Sequence, residues 1–240
     1  LVAAMATILV LLGFVVGEAA QPGGGVVGIL VAGVVWLVML LISYYQGDRI
    51  LMAVSGARRV RKEDNPQLFN VVEEMVIASG MSKMPQIYII DSPALNAFAA
   101  GRDPEHAAVA VTVGLLGKLK RDQLQGVIAH EISHIVHRDI LFMTLLSVML
   151  GSIVIISEVF LRGLYYGGRV RRSRSSSRGG GQGQAVIVLV AILFAILAPF
   201  IAQIIYFAAS RRREYLADAG AAVLTRYPEG LASALEVLLR

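Results

Sequence analysis

The 240-residue chain contains no cysteine, so neither a disulfide nor a thiolate metal ligand is open to it. Charge is scarce too: 16% of residues are Asp, Glu, Lys or Arg, against about 25% in a soluble globular domain. With 56% hydrophobic residues and a mean hydropathy of +0.68, that scarcity excludes an ordinary soluble domain. Lys and Arg outnumber Asp and Glu by 22 to 17, a net charge of +5. No base-reading or stacking motif accompanies the excess, which points to anionic lipid as its partner and not to nucleic acid. No internal repeat is present.

What the chain has instead is long apolar runs. Four stand out: Leu1–Val16, Val26–Tyr45, Ile140–Leu161 and Ala185–Ser210. The second carries no charge and ends on Tyr44 and Tyr45, an aromatic anchor, and the third carries only Glu158, close to one end, where it can snorkel. About 20 helical residues cross a hydrocarbon core of roughly 30 Å, so each run is long enough or nearly so. Pro199 is expected to kink the fourth. The first run starts without an initiator methionine, so truncation at the N-terminus is expected. The expected fold is a mainly α, multi-spanning membrane protein of about four transmembrane helices, with an α+β catalytic module containing a small sheet. Residues 1–45 form an N-terminal hairpin and 140–210 a second one. Residues 46–139 and 211–240 supply the two parts of the module.

Within 46–139, Asp64-Asn65-Pro66 signals a helix start, and Leu68, Val71, Val72, Met75 and Val76 recur at helical spacing up to Gly80. Gln86–Asp91 and Ala107–Val113 read as strands, separated by the turn-type cluster Gly101–Pro104. Asp122, with Gln125 as capping-box partner, is expected to start a helix carrying His130 to His137.

That helix holds the most informative residues, His130-Glu131-Ile132-Ser133-His134. Positions four apart share one face, so two imidazoles can meet one metal ion. Glu131, one step round, suits a general base acting on water whose pKa zinc lowers to about 7. A catalytic zinc takes a third protein ligand, here a carboxylate from further along the chain. Asp139 lies near the end of the same helix, too far along its axis, and Glu158 belongs to a membrane run. If the third and fourth runs form a hairpin, the chain returns after Ser210 to the membrane face it left at Asp139. Glu214 then becomes the third ligand and Asp218, one turn on, its support. His137, about 10.5 Å along a straight helix from His130, is a packing or interfacial histidine, and His106 is a surface residue.

His130–His134, followed after a hydrophobic hairpin by Ser210-Arg-Arg-Arg-Glu-Tyr-Leu-Ala-Asp218, resembles the HtpX-type membrane zinc metallopeptidases, gluzincins related to the CAAX prenyl endopeptidases. Asn96-Ala97-Phe98-Ala99 and the two N-terminal runs match as well, and the resemblance covers essentially the whole chain. It implies one zinc ion per chain on His130, His134 and Glu214, with Glu131 as base. It also implies endoproteolysis of damaged or misassembled membrane proteins and unfolded polypeptides at the cytosolic side of the bacterial inner membrane. Members of that family usually continue past a helix like 230–240, so further C-terminal structure is expected. An extended substrate could pair with an edge strand at Ala107–Val113 or with Asn96–Ala99. Arg211, Tyr206 and Tyr215 are interfacial anchors in preference to oxyanion donors.

Orientation is contested within the sequence. Arg49, Arg58, Arg59, Arg61 and Lys62 follow the second run, while residues 17–25 hold no Lys or Arg, which puts the module in the cytosol. The connection between runs three and four then lies outside, yet it contains Arg162, Arg169, Arg171, Arg172, Arg174 and Arg178. An external Arg-rich loop is favoured over an inverted topology or a hairpin that fails to cross. Two rival functions compete with proteolysis. A catalytically silent zinc scaffold has no need of Glu131, and a metal-dependent transporter needs more deep polar groups than Glu158 and Gln203.

Overall fold

The computed structural model describes residues 1–167 and 181–239. The connection residues Arg169 to Arg178 lie outside the described residues. Helices α1 (Val2–Ala20), α2 (Gly25–Val54), α6 (Asp139–Gly167) and α7 (Gly181–Thr225) are long and apolar enough to cross a membrane. Large apolar side chains on them stay exposed, among them Leu30, Val34, Leu189, Phe200 and Ile204, which is the surface a helix presents to lipid. The chain is an integral membrane protein.

The helical runs extend further than the apolar residues alone: α2 continues to Val54 and α7 to Thr225, because nothing in Gln46–Val54 or Arg211–Thr225 breaks a helix. Pro199 sits inside α7. Two compact units result, Leu1–Leu41 with Leu145–Ala209, and Ile42–Thr144 with Ser210–Arg240.

In the first unit, α1 and α2 meet through glycines. A methyl on Gly13 would lie 2.8 Å from the Gly28 carbonyl oxygen, and one on Gly28 would lie 2.8 Å from the Gly17 Cα. Only bare backbone allows that approach, as in small-residue membrane helix pairs. Glu18 closes the turn, accepting from the Gly23 N–H (2.8 Å) and the Gly25 N–H (3.1 Å) at the start of α2.

The second unit holds the sheet. Its strands are β1 (Ala57–Arg59), β2 (Gln86–Ile90), β3 (Ala97–Ala100) and β4 (Ala108–Thr112), in the order β1-β2-β4-β3. β2 and β4 run parallel (Gln86 opposite Ala108), while β1 and β3 pair antiparallel at the two edges. β4 is therefore central, not the edge strand anticipated from sequence. All five of its residues are buried, and an unalternating Ala-Val-Ala-Val run is what a strand covered on both faces looks like. The open edge near the helix that carries His130 and His134 belongs to β3.

One face of the sheet, with Ile87, Ile89, Val109 and Val111, packs on α3 (Pro66–Ser79) and α5 (Arg121–Val136) through Leu68, Val72, Leu124, Ile128 and Ile132. The other face, Ile90, Ala108 and Ala110, is covered by Met52. As expected, α3 starts at Asn65, whose Oδ1 accepts from the Leu68 N–H (3.0 Å), and stops at Gly80 in the left-handed region (φ 70°). α5 begins earlier than expected. Its cap is Lys120, not Asp122, because the Gln123 side chain reaches back to accept from the Lys120 N–H (3.0 Å). Short α4 (Val113–Lys118) and the C-terminal α8 (Pro228–Leu238) complete the unit. α8 crosses α5 so closely that a methyl on Gly126 would lie 2.5 Å from the Leu231 nitrogen.

Candidate metal centre

Apolar packing of Leu124, Ile128, Ile132 and Ile135 sets the rotation of α5 about its axis. His130 and His134 then sit one above the other, ring centroids 4.7 Å apart and planes at 86°. α7 approaches with small residues: Ala217 and Ala221 are buried, and a side chain on Gly220 would collide with Ser133. Glu214, one turn before Ala217, thereby reaches the histidines.

The three donors form a tight triangle. Nε2 of His130 and Nε2 of His134 are 3.2 Å apart, and Glu214 Oε2 lies 3.4 Å from the first and 3.8 Å from the second. A tetrahedral zinc with bonds of about 2.0–2.1 Å separates its ligands by roughly 3.3–3.4 Å, so the triangle has the size that ion requires. Two imidazole nitrogens and a carboxylate oxygen are also the donor set zinc prefers, and no other cluster of this kind occurs among the described residues.

Carboxylates hold the far side of both rings. Asp218 Oδ1 is 2.9 Å from His130 Nδ1, off the N–H axis, so the contact is electrostatic more than an aligned hydrogen bond. Asp139 Oδ2 is 3.1 Å from His134 Nδ1, and its Oδ1 accepts from Arg213 Nη1 at 2.8 Å. Occupying Nδ1 leaves Nε2 of each ring to face the triangle. Arg213 lies over the Phe142 ring, 4.5 Å from its centre.

Asp139 was not expected here. The sequence reading put it at the end of the histidine helix, but α5 stops at Val136 and His137 caps it. Arg138 then takes the left-handed region (φ 55°) with no glycine to signal the break, and Asp139 is the first residue of α6. The available sign was position: an acid directly ahead of a long apolar run is where a new helix begins.

Glu131 is buried, and burial pushes its carboxyl up to about 7. The charge of His130 and a hydrogen bond from the Ala99 N–H hold it down in part, while Glu214 adds to the rise. Ala99 belongs to the open edge of β3, so the sheet edge runs beside the carboxylate. The histidines left out by the sequence reading stay out. His137 binds the Ser133 carbonyl through Nδ1 (2.8 Å), and His106 binds Asp103 (2.8 Å) on an exposed turn. Glu158 pairs with Arg162 on α6.

Residues 62–239 match the model of peptidase family M48. The chain belongs to this family. It is 46% identical over 216 residues to a protease HtpX homolog of Dictyoglomus turgidum, covering 90% of this chain and 68% of that protein. The corresponding protein of Dictyoglomus thermophilum is 48% identical over 215 residues, 88% of this chain and 67% of the relative. That of Ligilactobacillus salivarius is 40% identical over 237 residues, 95% and 79%. The M48 assignment makes the chain a membrane metallopeptidase, acting on polypeptides, and sets aside the scaffold and transporter readings.

Proposed function

We propose that His130, His134 and Glu214 hold one zinc ion and that Glu131 is the general base of peptide-bond cleavage. The donor triangle with edges of 3.2, 3.4 and 3.8 Å is the observation that carries this reading. Zinc held there supplies Lewis-acid chemistry, polarising a carbonyl and acidifying water. The chain's own residues do the rest. Asp218 and Asp139 orient the two imidazoles, and the Glu131 carboxylate takes a proton from the attacking water and delivers it to the leaving amine. The open edge of β3 offers backbone groups to an extended chain, which reads few side chains and suits broad substrates.

The substrates on this reading are damaged or misassembled membrane proteins and unfolded polypeptides. The relatives' name, protease HtpX homolog, supports polypeptides as the class of substrate. Residues 46–139 and 211–240 form the catalytic module, and 1–45 and 140–210 the membrane hairpins. The Arg- and Lys-rich stretch after the second run supports a cytosolic active site at a bacterial inner membrane.

The test is Glu131→Gln in purified protein, with zinc content and cleavage of an unfolded membrane protein measured side by side. Zinc is expected to stay and cleavage to fall by about 10²–10⁴-fold, the weight of a positioned proton carrier. Near-normal cleavage would refute the assignment.

A further inference from the structure

Where the open edge of β3 ends, a cavity of about 140 Å³ begins. Its walls are α2 at Tyr44 and Gly47, the end of β3 from Ala99 to Arg102, and the first turn of α6 at Ile140 and Leu141. Ala99 is shared: it lines this cavity and also lies beside the Glu131 carboxylate, on which its N–H acts. A polypeptide laid along β3 with its reacting bond at Glu131 must pass the cavity mouth. Residues along a strand advance only about 3.3 Å each, with alternate side chains on the same face.

We propose that this cavity is the side-chain specificity subsite of the peptidase, accepting an apolar substrate residue within two positions of the cleaved bond. The proposal rests on the reading of Glu131 as the base. Tyr44, Ile140 and Leu141 supply apolar contact. The Arg102 guanidinium lies 5.8 Å over the Tyr44 ring, and Asp48 lines the same cavity. A charged substrate side chain would lose hydration on entering, whereas an apolar one gains contact with Tyr44, Ile140 and Leu141. The walls from α2 and α6 belong to helices that run on into the apolar stretches, so the subsite favours segments adjoining a membrane span.

Gly47 gives the test. It lines the cavity, and a Cβ built there meets only Ser43 Oγ, at 3.6 Å, an ordinary contact. Zinc-loaded protein is assayed against peptides differing only within two positions of the cleaved bond. At one position the wild type is expected to prefer Leu or Met over Ala, Asp and Lys by about tenfold or more, the usual worth of a filled apolar pocket. Gly47→Leu is expected to bind zinc as before and to lower the Leu-to-Ala ratio of kcat/KM by about tenfold or more. If that variant loses zinc and its fold, Ile140→Ala, which enlarges the cavity, is expected to shift preference from Leu toward Phe. A flat wild-type profile, or a ratio unchanged in the folded variant, overturns the subsite and leaves the metal centre standing. Wild-type protein that carries zinc and cleaves nothing overturns the reading of Glu131, and the subsite with it.

Discussion

Asp139→Asn asks whether one buried carboxylate really orients a zinc ligand. Asp139 is 2% exposed and accepts twice, from Arg213 at 2.8 Å and from His134 at 3.1 Å. An amide of the same shape has one acceptor oxygen and one NH₂, so it can satisfy only one of these donors and turns a donor toward the other. If the oxygen stays with Arg213, His134 loses the partner that fixes its tautomer. Losses of that kind weaken metal binding by about 10–100-fold. That equals about 1.4–2.7 kcal/mol, at 1.36 kcal/mol per factor of ten. Arg213→Met is the control, because it removes the guanidinium but keeps Asp139 on His134. Its zinc affinity should stay within about threefold of wild type, since Arg213 is partly exposed and its ion pair correspondingly discounted. Competition with a chromophoric chelator, on protein in detergent, reads both numbers. Wild-type affinity in Asp139→Asn, or an equal loss in Arg213→Met, would show that the carboxylate does not act through His134.

Three further outcomes follow from other parts of the molecule. Glu214→Ala and His134→Ala should lose zinc by elemental analysis while His137→Ala keeps it; the reverse pattern would break the donor triangle. Gly126→Ala should lower thermal stability by about 1–3 kcal/mol, because its methyl meets the Leu231 backbone at 2.5 Å. Gly117→Ala, with open space around it in α4, should raise stability by about 0.5–1 kcal/mol; equal melting shifts would refute the close crossing. Asp103 is held below the ordinary carboxylate range: its slight burial acts upward, but hydrogen bonds and charge from His106 outweigh it. A carboxyl with a depressed folded pKa stabilises fully above its unfolded value and loses that contribution as pH falls through the folded one. Asp103→Asn should thus melt below wild type at pH 6, with the gap closing as the pH falls below the ordinary carboxylate range, and a gap that persists in strong acid would contradict this.

Much of the site could be read from residue order because two helical periodicities carried it. The four-residue spacing of His130 and His134 and the Glu214–Asp218 spacing are local facts, and the apolar runs set which ends of the chain come back together. α3 was legible for a similar reason, with Asn65, Pro66 and Gly80 marking its ends in their usual roles. What escaped was non-local. β1 and β3 are three and four residues long, and their pairing partners alone make them strands. β4 lies central because of neighbours that its own sequence does not name. Asp139 stayed hidden because the break before it rests on Arg138, a residue type with no preference for the left-handed backbone it adopts.

Since His137 and Arg138 make the whole turn between α5 and α6, the number of residues there is a fixed quantity. A residue added or removed there would change both the direction in which α6 leaves the joint and the face it turns to α5. Asp139 would then swing off His134, and Phe142 out from under Arg213. Replacing Arg138, in contrast, changes only the cost of a left-handed residue, about 1–2 kcal/mol and less for glycine. The joint tolerates a change of letter but not of count, so drift at this corner of the chain is confined to substitution.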